Sequence, residues 1–134
     1  MRADENYIID LCDAILKDKA SRQHLFQFLV GDTGRRLPVD AHYCNLNLVI
    51  EFHERQHTEE VKLFDGKLTV SGVSRKEQRK IYDQRRRDVL PKHGIMLVEF
   101  SVNEFPNNNA GRLLRKLEED KRIIIEKLRQ HVKI

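Results

Sequence analysis

Two cysteines, Cys12 and Cys44, are too few and too far apart for a disulfide scaffold, and neither belongs to a CxxC pair. That usage suits a reducing compartment, and a cytoplasmic chain is expected. No apolar run approaches the ~20 residues of a membrane-spanning helix, and there is no secretory h-region, so neither insertion nor export is expected. Internal repeats, low-complexity tracts, helix-turn-helix patterns and zinc motifs are also missing, which leaves no separate module for reading a nucleotide sequence. With six glycines and three prolines beside 40% hydrophobic residues, the 134-residue chain is not a disordered one. It fits a single domain over residues 1–134 with a real core. Charge of neither sign dominates: 25 Lys and Arg against 21 Asp and Glu leave a formal +4. A polyanionic partner would therefore need the positive charge gathered in one place.

What is present alternates in an orderly way. From Glu5 to about Lys17, Ile8, Ile9, Leu11, Cys12, Ile15 and Leu16 recur at helical spacing. "HLFQFLV", the turn-forming "GDTGRR", "LPVDAHYC", the tight "NLN" and the apolar "LVIEF" then predict a three-stranded antiparallel meander. Ser74 and Glu77 have capping-box spacing and open a second helix, expected to run to about Leu90, to be disturbed by Pro91 and to stop at Gly94. "IMLVEF" is short and apolar enough for a buried strand, and Leu113, Leu114, Leu117, Ile124 and Leu128 mark a last helix. The expected class is α/β, with a mixed four-stranded sheet flanked by helices in the order α-β-β-β-α-β-α.

Residues 37 to 57, "LPVDAHYCNLNLVIEFHERQH", carry the unusual chemistry. Glu51 interrupts an apolar strand where a core position would take an aliphatic residue. Glu51 and His53, two apart, share one strand face, and the short turn folds Asp40 back beside them. Burying such groups together is costly unless something binds them, and a hard divalent cation accepts one Asp, one Glu, a carbonyl and water. Such an ion polarises a phosphate oxygen and acidifies a bound water, leaving His53 or His57 to orient or deprotonate the nucleophile.

"P-x-D", ten residues and then "E-x-H" resemble the PD-(D/E)xK nuclease signature, with His53 where the family's lysine stands. Over roughly residues 37 to 102, "LVIEFHERQH" with "YDQRRRDVLPKHGIMLVEF" is similar to the branch containing very short patch repair endonucleases and small endonuclease-like proteins. The resemblance implies a restriction-endonuclease-like core and Mg²⁺-dependent DNA cleavage, with Mn²⁺ as a possible substitute. Asp40 and Glu51 match the metal carboxylates, His53 the catalytic Lys or His, and Gln56 with His57 the "QH" pair. Asp83, Arg87 and Leu90 fall on the family's helix pattern. A carboxylate from the first helix can join such sites; Glu5, Asp10 and Asp13 are the candidates.

Each feature also has a plainer reading. Asp40 could pair with Arg35 or Arg36 across the turn, and Asp83 with Arg87 at i, i+4. His24, His42 and His131 are by default surface or core histidines. Between Arg75 and Lys92, however, eight basic residues face three acidic ones, so the chain's whole positive excess lies here. Arg85, Arg86, Arg87 and Lys80 suit a phosphodiester backbone, held without sequence reading. Two functions follow: a metal-dependent DNA endonuclease, or a catalytically inactive nucleic-acid- or partner-binding module of the same fold. Monomer and homodimer both stay open.

Overall fold

The computed structural model describes residues 2–54 and 74–134. Helix α1 (Ala3–Leu16) is followed by β1 (Ser21–Val30), β2 (Arg36–Tyr43) and β3 (Leu48–His53). Helix α2 (Arg75–Lys92), β4 (Met96–Ser101) and α3 (Leu117–Arg129) complete the described α-helices and strands. The strands form one sheet in the order β1-β2-β3-β4, antiparallel except for the parallel β3–β4 pair. A parallel pair needs a crossover, and α2 lies within the connection that makes it. The protein is thus α/β, with a mixed four-stranded sheet and three flanking helices. No helix among the described residues is long and apolar enough to cross a membrane, and the two cysteines are not bonded to each other.

Two cores sandwich the sheet. On one face Ile8, Ile9 and Cys12 of α1 and Ile124 and Leu128 of α3 pack on Ala41, Tyr43, Ile50, Phe52, Val98 and Phe100. On the other, Leu90 of α2 packs with Ile95, Val49, Phe26, Leu29, Leu37 and Val39. Strand β2 feeds both. Leu37, Val39, Ala41 and Tyr43 alternate without a break, yet the first two enter the α2 core and the last two the other. The β1–β2 ribbon therefore turns over at Asp40. Opposite it lies Gln23, between the Arg22–Ala41 and His24–Val39 pairs, in the left-handed region at φ 49°. Such a backbone conformation reverses which face the following side chains take.

Several element ends depart from the expectation. Helix α2 takes in Pro91 in its last turn, where one helical amide is lost, and Gly94 at φ 74° ends the bend into β4. Of the expected capping box the serine half is present: Ser74 Oγ accepts from the Glu77 amide at 3.2 Å. The last helix begins at Leu117 instead of Leu113. Asp4, 3% exposed, draws in the Leu113 amide (3.1 Å), Arg112 Nε (3.0 Å) and Arg115 Nη2 (3.2 Å), so this segment is tied to α1. Those bonds hold the Asp4 pKa below its usual value against the upward push of burial.

Candidate metal and phosphate site

The site forms where the ribbon turns over. Ala41 pairs with Ile50, and the same register one residue on sets Asp40 across from Glu51. There the carboxylates take the place of the ladder: the Asp40 amide donates to Glu51 Oε2 at 2.6 Å, and the Phe52 amide donates to Asp40 Oδ2 at 2.7 Å. Each carboxylate is thus aimed by one fixed oxygen. Of the second oxygens, Asp40 Oδ1 accepts a long bond from Gln23 Nε2 (3.3 Å) and Glu51 Oε1 faces Arg86 Nε at 3.7 Å. Asp40 pairs with neither Arg35 nor Arg36; the protein uses it across the strands instead.

These groups line a polar cavity of about 260 Å³, together with Arg2, Glu5, Pro38, His53, Glu54 and Asp83. At about 30 Å³ per water, it has room for a hydrated ion beside a phosphate group. Five carboxylates line it against two guanidinium groups. The electrostatic cost shows in the pKa values. Burial first, and then the Asp40 charge, push Glu51, 5% exposed, up to about 8. The same two causes push Glu5 up to about 7. Glu5 is the first-helix carboxylate at the cavity, joined to Asp40 through Gln23 Nε2, which donates to Glu5 Oε2 at 2.9 Å. Asp10 and Asp13 instead pair with Arg22. Among the described residues no three Asp, Glu, His or Cys side chains form a ready metal cluster. The donor set fits Mg²⁺ on different grounds: two carboxylates with aimed oxygens, and water for the remaining positions of a hard ion.

His53 stands at the rim, bonded through Nε2 to Glu99 Oε1 at 2.7 Å. Glu99 also receives Arg87 through Nε (2.8 Å) and Nη2 (2.9 Å). Burial works to lower the His53 pKa, but the Glu99 bond and the charges of Asp83 and Glu51 raise it overall. Glu99, despite burial, is held down to about 2 by His53 and Arg87. The sequence reading missed Glu99, because it sits inside the apolar "IMLVEF"; its pairing with Glu51 in the β3–β4 register brings it to the site. Glu99→Gln is expected to cost about 1–3 kcal/mol near neutrality, since Arg87 and His53 lose their shared anionic partner. A depressed carboxylate pKa stabilises above the unfolded value and loses that contribution as pH falls toward about 2. Urea melts of parent and variant should therefore converge below pH 4.5, and a gap independent of pH would remove the ionic interpretation.

Arg85, Arg86 and Arg87 of α2 are turned to internal use. Arg86 reaches the Pro38 carbonyl through Nε (3.2 Å) and Nη2 (3.0 Å), and Asp83 Oδ1 through Nη1 (3.1 Å). Asp83 accordingly pairs with Arg86 at i, i+3, and Arg87 turns to Glu99 instead. Arg85 binds the Val30 carbonyl and Asp32. Lys80 is exposed. Gln56 and His57 lie outside the described residues. His24 and His42 join Phe26 in an aromatic cluster away from the cavity lining. Compared with protein-family models, with curated proteins and with solved structures, the chain has no match among any of them.

Proposed function

We propose that the protein is a Mg²⁺-dependent endonuclease that hydrolyses phosphodiester bonds in DNA, with Asp40 and Glu51 as the ligands of the ion. The observation that carries this reading is the meeting of these two carboxylates across β2 and β3 in a cavity with more negative than positive groups. When bound, Mg²⁺ or Mn²⁺ supplies Lewis-acid polarisation of a phosphate oxygen and a more acidic water. The chain's own residues do the rest. Backbone amides aim Asp40 and Glu51. Arg86, fixed by Pro38 and Asp83, offers its guanidinium to a phosphoryl oxygen. His53, held by Glu99 at 2.7 Å, stands where the resemblance has a lysine and is the group placed to hand a proton to the leaving oxygen. Gln56 and His57 keep the catalytic roles that the resemblance implies.

One observation favours the second reading, a binding module without turnover: Arg86 lies 3.7 Å from Glu51 and offsets part of its charge without an ion. Supercoiled plasmid separates the two. The endonuclease is expected to nick it with Mg²⁺ or Mn²⁺, to stop with EDTA, and to be inactive as Asp40→Asn. Salt-sensitive DNA binding with no nicking in either metal would establish the module instead.

A further inference from the structure

Arg85, Arg86 and Arg87 of α2 have partners within the protein. A pair of neighbouring arginines without such partners stands at the tip of the β1–β2 hairpin. Arg35 and Arg36 are both exposed. Among the described residues, their side chains enter no ion pair or side-chain hydrogen bond, unlike those of Arg85, Arg86 and Arg87. The one acidic group of the tip, Asp32, is taken up by Arg85 at 3.3 Å, leaving the tip with a net positive charge.

The tip is also held in a fixed position. Arg85 Nη1 donates to the Val30 carbonyl at 2.9 Å, and the Asp32 amide donates to Tyr82 Oη at 3.0 Å. Gly31 makes this approach feasible: a Cβ there would lie 2.8 Å from Tyr82 Oη. The turn closes on itself through Gly31 N to Arg35 O (2.8 Å) and Gly34 N to Gly31 O (3.1 Å), with Gly34 at φ 82°. Two unpaired guanidinium groups on a clamped ribbon are a preorganised anion surface, with little ordering cost left on binding.

We propose that Arg35 and Arg36 form a docking surface for the backbone of duplex DNA, with Arg85 and Tyr82 as the residues that position it. The proposal rests on the endonuclease reading for its link to the cavity, because the same strand continues from Arg36 through Pro38 to Asp40. At ~3.3 Å per residue those positions lie ~7 and ~13 Å from Arg36. That separation lets one duplex present different phosphates to the tip and to the site. A two-stranded ribbon is among the elements that the ~12 Å major groove of B-DNA admits, whereas the deep, narrow groove of A-form RNA is closed to it.

The test is titration of a short labelled DNA duplex, in EDTA so that binding is read apart from cleavage, over a series of salt concentrations. Arg35→Ala/Arg36→Ala should bind about tenfold to a hundredfold more weakly, with a log–log salt slope smaller by about 2. A control of equal charge, Arg122→Ala/Arg129→Ala on the exposed side of α3, should stay near the parent. Arg85→Ala should weaken binding less, because it leaves both cations in place but frees the tip. Equal losses in tip variant and control, an unchanged slope in the tip variant, no DNA binding by the parent, or equal competition by duplex RNA would each overturn the proposal. Plasmid cleavage is scored separately. A parent that binds through the tip but never nicks removes the endonuclease reading and leaves the docking surface standing.

Discussion

Glu51→Gln should lose metal-dependent cleavage entirely, yet melt higher than the parent without metal. The amide keeps the shape and can still accept the Asp40 amide bond, but it binds Mg²⁺ weakly and brings no charge to offset the ion's. In the parent, a carboxylate 5% exposed must either ionise beside Asp40 or take up a proton. Both are costly, and the neutral amide avoids both. A gain of about 2–3 kcal/mol at pH 7 would raise the melting temperature by several degrees. Saturating Mg²⁺ should raise the parent further, by about 2.7 kcal/mol at a hundred times Kd, and leave the variant unmoved. A purely structural Glu51 predicts the reverse, since removing one partner of a buried ion pair costs ~3–5 kcal/mol. An equal metal response in both proteins, or a large loss in the metal-free variant, would sink the site.

The metal-free parent should also lose stability as pH rises from about 5 to 8, a range in which many proteins are near their maximum. The sign follows from the direction of the shifts. A group whose folded pKa is raised stabilises fully below its unfolded pKa and loses that contribution as pH rises through the folded one. Glu51, raised from 4.5 to about 8, and Glu5, raised to about 7, both act in this window. His53, also raised, adds to the decline near neutrality. Glu99 acts oppositely, but only in acid, between 4.5 and about 2. At 1.36 kcal/mol per unit, and with the carboxylates interacting, the fall should be about 2–4 kcal/mol. Urea melts at successive pH values read it directly. Mg²⁺ should flatten the profile, because the occupied site favours the ionised carboxylates, and Glu51→Gln should flatten most of it without metal. A profile that rises toward pH 8 would mean that these carboxylates are solvated.

The order of elements was legible because each announces itself locally: helical spacing in α1, turn residues between β1 and β2, a capping serine before α2. So was the meeting of Asp40 with Glu51, which needs only the "NLN" turn and alternation on two strands. Other features depend on partners distant in sequence. Three acids of α1 look alike until Gln23 draws in Glu5 and Arg22 takes Asp10 and Asp13. Arg85, Arg86 and Arg87 read as a DNA-facing run, because charge counting cannot reveal that Val30, Pro38 and Glu99 supply acceptors. Leu113 fits a helical stripe, but Asp4 binds its amide. The turnover of the ribbon leaves no trace at all, since Leu37, Val39, Ala41 and Tyr43 keep one unbroken rhythm while changing cores.

That turnover has a mechanical consequence. A ribbon gripped from one side by Leu37 and Val39 and from the other by Ala41 and Tyr43 resists torsion about its own axis. Rotating the Asp40 peptide in either direction lifts side chains out of one packed interior and drives others into the opposite one, and dense interiors yield to neither. Load applied at Arg35 and Arg36 therefore reaches Asp40 as displacement along the strand, while the bearing of its carboxylate toward Glu51 is preserved. The same grip links the two interiors: an enlarged side chain at Val39 and a truncated one at Tyr43 would twist one shared peptide.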